Sequence, residues 1–344
     1  MKNNFRKAAK ISLILIYLVI VAGAVVRMTG SGMGCPDWPK CFGFYIPPTE
    51  RAALEWQPDT FYKKGRIIIV NEALQIAPKD FTTSASYSNT NWEAYTEHDY
   101  AIFNPLHTWI EYINRLLGAA SGIPILIITA ISFFLFKDDK WLTHLSILTL
   151  IALGFTAWLG KEVVDSNLAP YKITIHMAVA LLIVALLLTL IYRSKDVPRQ
   201  QLFNITFNNV LLAAIFLSLI QVIIGTQVRQ YVDVQIKAVG YDTPELWLNN
   251  PTLTFYIHRS LSILVLASNG FLWYLNKNKK LGFNKINWVM VFIFVEVITG
   301  ILMFYVDFPF GSQPIHLVIA TLLFGLQFYL FLESRKQGTT IQSS

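Results

Sequence analysis

Charge and cysteine are both scarce in this sequence. Charged residues make up 14% of its 344 residues and hydrophobic residues 54%, and the mean hydropathy is +0.47. A soluble globular domain carries about 25% charged residues, so this composition excludes an ordinary soluble fold. Only two cysteines occur, with no histidine close to them in sequence, which argues against a zinc site built on them. The composition is that of a polytopic membrane protein.

What the sequence has instead is a series of long apolar runs. A helix needs about 20 mostly apolar residues to cross the hydrocarbon of a bilayer. Eight such runs lie at about 11–28, 105–136, 141–160, 172–192, 207–228, 253–275, 286–306 and 314–332. No small-x-small cleavage site follows the first run, so we expect a retained span rather than a signal peptide. The predicted fold class is an all-α integral membrane protein with eight transmembrane helices in the lipid bilayer.

The basic residues predict which way the chain crosses the membrane. They lie in short segments before run one (Lys2, Arg6, Lys7, Lys10), after run two (Lys137, Lys140), after run four (Arg193, Lys195, Arg199), after run six (Lys277, Lys279, Lys280, Lys285) and after run eight (Arg335, Lys336). Lys and Arg in short loops mark the cytoplasmic side. We therefore expect a multi-pass protein of the inner (cytoplasmic) membrane with both termini in the cytoplasm. The net charge of +7 is explained without a nucleic-acid partner.

The segment after run one, from about 29 to 104, falls outside the cytoplasm in this orientation. Cys35 and Cys41 lie in it, and an oxidising compartment favours a structural disulfide between them; a redox-active pair that passes electrons inward is the alternative. Connections of this length are usually folded or functional, so we expect an extracytoplasmic cap or a mobile loop. Residues 66–71 predict a short strand or a helix turn.

The second half of the chain repeats the first. Gly23–Arg27 ends run one as Gly225–Arg229 ends run five, and Tyr112–Arg115 matches Tyr256–Arg259. Because four spans per repeat preserve the orientation, the two four-helix bundles should be related by an axis along the membrane normal. The predicted organisation is an N-terminal half, a cytoplasmic linker and a C-terminal half, at 1–192, 193–201 and 202–344.

Four comparable positions lie just inside apolar runs: Asn114, His176, His258 and His316. His258 and His316 are at similar depth on different spans, and two facing imidazoles can hold heme iron between helices. Each could instead hydrogen-bond a neighbouring helix, but ionisable groups inside spans are rare and usually functional. We predict that His258 and His316 ligate one heme iron and that His176 binds a second.

The first half has Asn114 where the second has His258, and asparagine is a poor ligand for heme iron. His107 lies two helical turns outward of Asn114 on the same face and could act with His176 instead. Otherwise the iron there keeps one ligand and an open position, as oxygen chemistry requires. The same face carries Glu111, which could move protons or stabilise positive charge beside a porphyrin, or could simply pair with Arg115 four residues on.

Two further sets of ionisable residues belong to the candidate sites. Arg27, Arg115, Arg229 and Arg259 lie near the outer ends of spans and could hold porphyrin propionates, since a guanidinium forks onto a carboxylate. Interfacial anchors with snorkelling side chains are the alternative. Glu296 in run seven is a second buried acid to which the sequence assigns no role.

These residues resemble one known family, heme A synthase, the membrane enzyme that matures heme for cytochrome oxidase. The resemblance rests on Gly23–Arg27 followed by Thr29–Pro39, on Glu111–Arg115, and on the settings of His176, His258–Arg259 and His316. It covers all eight spans. The family has histidine where this chain has Asn114, and the segment after Cys41 is longer than the family leads us to expect.

The resemblance implies oxidation of the C8 methyl group of heme O to a formyl group, giving heme A. It implies that His258 and His316 ligate heme B, that His176 faces the substrate heme, and that Glu111 is the acid beside it. It further implies a farnesyltransferase that supplies heme O. The electron donor, for which a quinol is one candidate, the oxygen source, dioxygen or water, and the oligomeric state, for which a homo-oligomer is one candidate, stay open. Two other classes stay open: a non-catalytic heme-binding assembly or carrier protein, and a cytochrome-b-like quinol oxidoreductase or, more distantly, a transporter built on a fourfold repeat.

Overall fold

Eight long helices form the body of the protein. The computed structural model describes residues 1–96, 102–166, 168–195 and 201–335. The helices are α1 (Lys2–Met28), α2 (Pro105–Phe134), α3 (Lys140–Asp165), α4 (Pro170–Arg193), α5 (Ile205–Val239), α6 (Leu253–Asn278), α7 (Ile286–Tyr305) and α8 (Ser312–Ser334). Of the residues predicted to be cytoplasmic, Arg199, Lys336 and the central linker residues 196–200 lie outside the described residues.

The eight predicted runs match these helices, with one large difference. Helix α5 continues to Val239 instead of ending at 228, and its 35 residues span about 52 Å at 1.5 Å per residue. The helix ends only at Gly240, whose φ of +92° suits glycine and breaks the helical path. The last turns of α5 therefore extend beyond the apolar run.

Seven of the eight helices are long and apolar enough to cross a membrane. Helix α6 is the exception among the described residues, because His258, Arg259 and several Ser and Asn residues lower its hydropathy. One of these, Asn269, is fully buried and accepts a hydrogen bond from Gln327 of α8 at 3.0 Å, so the polar side of α6 is turned inward. The chain is an all-α, multi-pass membrane protein.

The helices pack as successive hairpins. Helix α1 lies along α2, α3 along α4, α5 along α6 and α7 along α8, while α1, α4, α5 and α8 also contact one another near the centre. One hydrophobic cluster is built mainly from α1–α4 and includes Tyr329 of α8; a second is built mainly from α5–α8 and includes Leu181 and Ala185 of α4. At the crossing of α1 and α8, Gly325 leaves space for the Tyr17 phenol, whose oxygen lies 2.3 Å from where a Cβ would stand.

The segment between α1 and α2 is a folded cap in the part that the structure describes, which decides against the mobile loop. Strands β1 (Phe61–Tyr62) and β4 (Phe81–Thr82) pair antiparallel, and β2 (Ile67–Val70), β3 (Ala73–Ile76) and β5 (Glu93–Ala94) form a second antiparallel sheet. Residues 66–71 are thus mostly strand, and the all-α prediction needs these five short strands added outside the spans. We call the end of the bundle that carries this segment the cap side, and the opposite end, where α1 begins, the terminal side.

Two features hold the cap together. The β2–β3 hairpin turns at Asn71 and Glu72, whose φ angles of 50° and 57° match the left-handed two-residue turn that suits the strand twist. Cys35 and Cys41 form a disulfide with an S–S distance of 2.05 Å, and they are 0% and 1% exposed in a cluster with Ile67 of β2. The predicted disulfide is confirmed, and it belongs to the core of the cap.

Candidate heme site

The C-terminal helices enclose a cavity of about 550 Å³, open to residues of α1 and α4 as well as α5–α8. His258, His316, Arg27, Arg229 and Arg259 all line it. Glu296 lines it as well, so six of the ionisable residues singled out in the sequence meet in one place. Arg115, Asn114 and His176 do not line this cavity.

The two imidazoles of the cavity face each other across it. The ring centroids of His258 and His316 are 6.3 Å apart with an interplanar angle of 66°. Metal–imidazole bonds are about 2.0–2.1 Å long, so two such bonds plus the distances from each nitrogen to its ring centre roughly span this separation. The pair is thus spaced to ligate one metal ion between them.

The outer nitrogens of these rings differ in their surroundings. His316 Nδ1 lies 2.8 Å from Thr299 Oγ1 and 3.1 Å from Glu296 Oε2. His258 Nδ1 is buried without a hydrogen-bond partner in the described part of the chain; the helix is held there by Gln221, whose amide donates to the His258 carbonyl oxygen at 2.9 Å. One ring is fixed through its Nδ1 and the other through its backbone.

The arginines at the cap side of the cavity share one carboxylate. Arg27 of α1 donates to Asp233 Oδ2 at 2.8 Å, and Arg229 contacts Asp233 Oδ1 at 2.9 Å. Arg229 also donates to the Arg27 carbonyl oxygen at 3.0 Å, while its Nη1 is buried without a partner among the described residues. Two guanidinium groups against one carboxylate leave an excess of positive charge at the cavity, and Asp233 is a functional position that the sequence reasoning missed.

Each of the four positions just inside the even-numbered helices faces a glycine on the preceding odd-numbered helix. A Cβ built on the glycine would lie 3.9 Å from Asn114 Oδ1 for Gly23, 3.6 Å from His176 Cε1 for Gly160, 3.0 Å from His258 Cε1 for Gly225 and 3.8 Å from His316 Cε1 for Gly300. The missing side chains let the rings lie against the neighbouring backbone. The sequence repeat identified Gly23 and Gly225 but missed Gly160 and Gly300, although each lies sixteen residues before its histidine.

The first half places Asn114 and His176 at the equivalent points of its hairpins. Asn114 Oδ1 and His176 Nδ1 are both buried with no hydrogen-bond partner in the described residues. Buried polar atoms are normally satisfied, so both are suited to a ligand that the protein binds. His107 lies in the first turn of α2, where its backbone carbonyl is close to Gly34 of the disulfide loop.

Glu111 and Arg115 attach the disulfide loop to α2. Glu111 is 4% exposed; its Oε2 accepts from the Cys35 amide at 2.7 Å, and its Oε1 pairs with Arg115. Arg115 in turn donates to the carbonyl oxygens of Asp37 at 2.6 Å and Lys40 at 2.9 Å. Arg115 is therefore engaged with the loop, and the alternative reading of Glu111, a pair with Arg115, describes what the structure contains.

The same loop is closed by Asp37. Its carboxylate accepts from the backbone amides of Phe42 at 2.5 Å and Gly43 at 2.9 Å. Burial raises the pKa of Asp37 above its ordinary value, against the opposing effect of these two amides and of Arg115. Thr108 of α2 donates to the Gly34 carbonyl oxygen at 2.8 Å, so the loop is bound to α2 at several points.

No group of three or more His, Cys, Asp or Glu side chains is arranged to hold a metal ion within residues 1–96, 102–166, 168–195 and 201–335. A porphyrin already supplies four nitrogens to its iron, so a heme site needs one or two protein ligands. The facing histidine pair has the donor set of such a site rather than that of a free metal ion.

Comparison with known proteins agrees with this geometry. Residues 6–67 and 71–328 match the COX15-CtaA family, described as cytochrome oxidase assembly protein. The chain is 22% identical to the heme A synthase of Wolbachia pipientis wMel over 95% of this chain and 91% of that one. It is 25% identical to the heme A synthase of the Wolbachia of Brugia malayi over 94% and 95%. A shorter match, to the heme A synthase of Shewanella oneidensis, is 25% identical over 56% of this chain and 45% of that one. Because the family match extends over nearly the whole chain, the protein belongs to the COX15-CtaA family of cytochrome oxidase assembly proteins.

Proposed function

We propose that the protein is a heme A synthase, an oxidoreductase that converts the C8 methyl group of heme O to a formyl group and so produces heme A. The observation that carries this proposal is the His258–His316 pair, 6.3 Å apart, in a cavity of a chain whose relatives are heme A synthases. A facing imidazole pair suits a heme that transfers electrons, and His258 and His316 would hold such a heme from two different helices.

Heme B is the proposed occupant of the cavity. His258 and His316 would ligate its iron, and the partnerless Nη1 of Arg229 would bind a propionate together with Arg27, since guanidinium groups recognise carboxylates. Arg259, which also lines the cavity, would hold the other propionate. Heme B bound there would supply one-electron transfer. The protein residues hold it and compensate its negative charge.

The first half is the proposed substrate site. His176 would ligate the iron of heme O, and Asn114 would lie at the position that His258 occupies in the second half. Because an amide is a poor ligand, the iron of the substrate keeps an open position on the Asn114 side, as reaction with dioxygen requires. The partnerless Oδ1 of Asn114 can accept a hydrogen bond from a group bound there.

Glu111 of α2 would act on this site together with the disulfide loop that it holds. Its carboxylate accepts from the Cys35 amide and pairs with Arg115, so the Cys35–Cys41 loop is fixed against α2. We propose that Glu111 places negative charge beside the methyl group that is oxidised and stabilises positive charge developing there. The buried disulfide has a structural role, because reactive cysteines are usually partly exposed.

We place the protein in the inner (cytoplasmic) membrane with the cap outside and both termini in the cytoplasm, as the distribution of Lys and Arg indicates. The two halves would be related by an axis along the membrane normal. A heme O-supplying farnesyltransferase, an electron donor such as a quinol, and a second copy of the chain are the partners that this function requires or permits. Dioxygen is the oxygen source that the open position favours over water.

The test is chromatography of hemes extracted from membranes that express this chain beside a source of heme O. Heme A or its hydroxylated precursor should appear with the intact chain and not with the Glu111→Ala variant. The second candidate function, a heme carrier without catalysis, is favoured by Asn114 in place of a histidine. Unchanged heme O and heme B from the folded, reduced protein would establish the carrier and refute the synthase.

A further inference from the structure

Glu296 is an acid inside a membrane helix that no part of the proposed reaction uses. It belongs to α7, its side chain is 16% exposed, and its Oε2 lies 3.1 Å from His316 Nδ1. Its other oxygen, Oε1, is buried without a hydrogen-bond partner in the described part of the chain. No Lys or Arg forms an ion pair with it among those residues. An acid at this depth is costly unless it has a function, and its one charged or chargeable partner is a candidate iron ligand.

Thr299 shows which way the proton of His316 points. The Thr299 hydroxyl lies 2.9 Å from the Val295 carbonyl oxygen. The carbonyl four residues earlier is the usual acceptor for a threonine hydroxyl inside a helix. A hydroxyl has one proton to donate, and with that proton on the Val295 carbonyl oxygen Thr299 Oγ1 accepts from His316 Nδ1 at 2.8 Å. This arrangement puts the proton of His316 on Nδ1 and leaves Nε2 the lone pair that a metal ion needs.

The carboxyl oxygen of Glu296 is the second acceptor for the same N–H. A ligating histidine usually donates its other N–H to a carboxylate or carbonyl, which fixes the ring and makes the ligating nitrogen a stronger donor. His258 has no such partner, since its Nδ1 is buried and unbonded in the described residues. The two imidazoles of the pair are thus unequal, and only one of them is under the influence of an acid.

The acid also distinguishes this hairpin from the others. Glu296 lies four residues before Gly300, the glycine against His316. The corresponding residues before Gly23, Gly160 and Gly225 are Val19, Thr156 and Gln221. The position four residues before the glycine therefore recurs in all four hairpins, and only in the α7–α8 hairpin does it carry an acid.

We infer that Glu296 and Thr299 are positioning residues for His316: together they fix its tautomer, and Glu296 increases the electron donation of His316 to heme iron. This inference rests on the heme-binding part of the proposed function. A stronger donor stabilises the ferric state, so Glu296 holds the reduction potential of this heme below the value that two unassisted imidazoles would give. The heme is thereby made a better electron donor to the first half.

The experiment is a redox titration of the low-spin heme in the purified holoprotein, with electron paramagnetic resonance of the ferric form. Glu296→Gln keeps the shape but replaces one carboxyl oxygen with an NH₂ group, which can only donate, so the reduction potential should rise and the g-values should shift. Thr299→Val should move the same quantities and also weaken heme binding, by about 10–100-fold for the loss of such a partner. Thr299→Ser keeps the hydroxyl and should therefore retain the wild-type potential, g-values and heme affinity.

The controls repeat the same chemical changes elsewhere. Glu333→Gln alters the acid at the other end of α8, which pairs with Lys285, and Thr189→Val alters a threonine that bonds only its own helix at Ala185. Neither should change the potential. An unchanged potential and unchanged g-values in Glu296→Gln, with the heme still bound, would overturn the inference. Loss of heme from the folded Glu296→Gln protein would support it, because the controls report general damage. A wild-type protein that binds no low-spin heme would instead refute the proposed function.

Discussion

A single methyl group added at Gly225 should disturb the heme site. A Cβ at this position would lie 3.0 Å from His258 Cε1, whereas carbon atoms pack at about 3.5–4.0 Å. In Gly225→Ala the imidazole must therefore move by a few tenths of an ångström. Metal–ligand distances tolerate only about 0.2 Å, so His258 cannot keep its place on the iron without strain elsewhere.

The size of the effect follows from this overlap. Overpacking by one methyl group costs about 1–3 kcal/mol. Replacing a glycine by alanine inside a helix raises the free energy of unfolding by about 0.5–1 kcal/mol. The protein should therefore remain folded while its heme affinity falls. A loss of about 1–2 kcal/mol in binding corresponds to roughly 5–30-fold. Spectroscopic titration of the apoprotein with heme measures this change directly.

Gly300→Ala is the matched control. Its added Cβ would lie 3.8 Å from His316 Cε1, an ordinary contact, so this variant should bind heme as tightly as the unaltered protein. Equal heme affinity in Gly225→Ala and Gly300→Ala would refute the reasoning, because it would show that the close approach at Gly225 does not fix the ligand.

Five other substitutions test the remaining assignments. His258→Ala or His316→Ala should remove the low-spin heme spectrum, and retention of that spectrum in both variants would contradict the ligand assignment. His107→Ala should impair the substrate site more than Asn114→Ala does, measured as substrate-heme occupancy and turnover; the reverse order would exclude His107 as a ligand. Because burial raises the pKa of Asp37, the folded cap binds this proton more tightly than the unfolded chain, so the cap should lose stability as pH rises from about 3.8 through the folded pKa. Limited proteolysis between about pH 4 and 7 should show this trend, and Asp37→Asn should abolish it.

The spans were predictable because the bilayer sets their length. Bilayer thickness requires about 20 apolar residues per helix, and that count located all eight helices. The same count placed the end of α5 at 228 instead of Val239, because a run of apolar residues reports hydropathy and not where a helix stops. The residues after 228 mix polar and apolar side chains, and the helix continues through them until Gly240. The β2–β3 hairpin was missed for a related reason, since Asn71–Glu72 lacks the glycine that usually marks such a turn.

The site was predictable where depth alone mattered. His258 and His316 lie close to the starts of α6 and α8, at similar depth. The topology of the bundle therefore brings the two rings together. The contacts of Asp233 and Thr299 depend instead on how α5 crosses α1 and how α7 packs on α8, and nothing local in the sequence encodes those crossings. The constant sixteen-residue spacing from Gly160 to His176 and from Gly300 to His316 was a usable signal, because it places a gap in one helix opposite a ring in the next.

Asp233 makes the two halves of the chain unequal partners. Arg27 and Arg229 are counterparts, but the residue four positions after Arg27 is Ser31, so only the C-terminal half supplies a carboxylate. If the chain were divided and the halves produced separately, the C-terminal half would keep its own ion pair, while the N-terminal half would carry an uncompensated guanidinium. Assembly of the two fragments would then neutralise a charge in the N-terminal fragment and none in the C-terminal fragment.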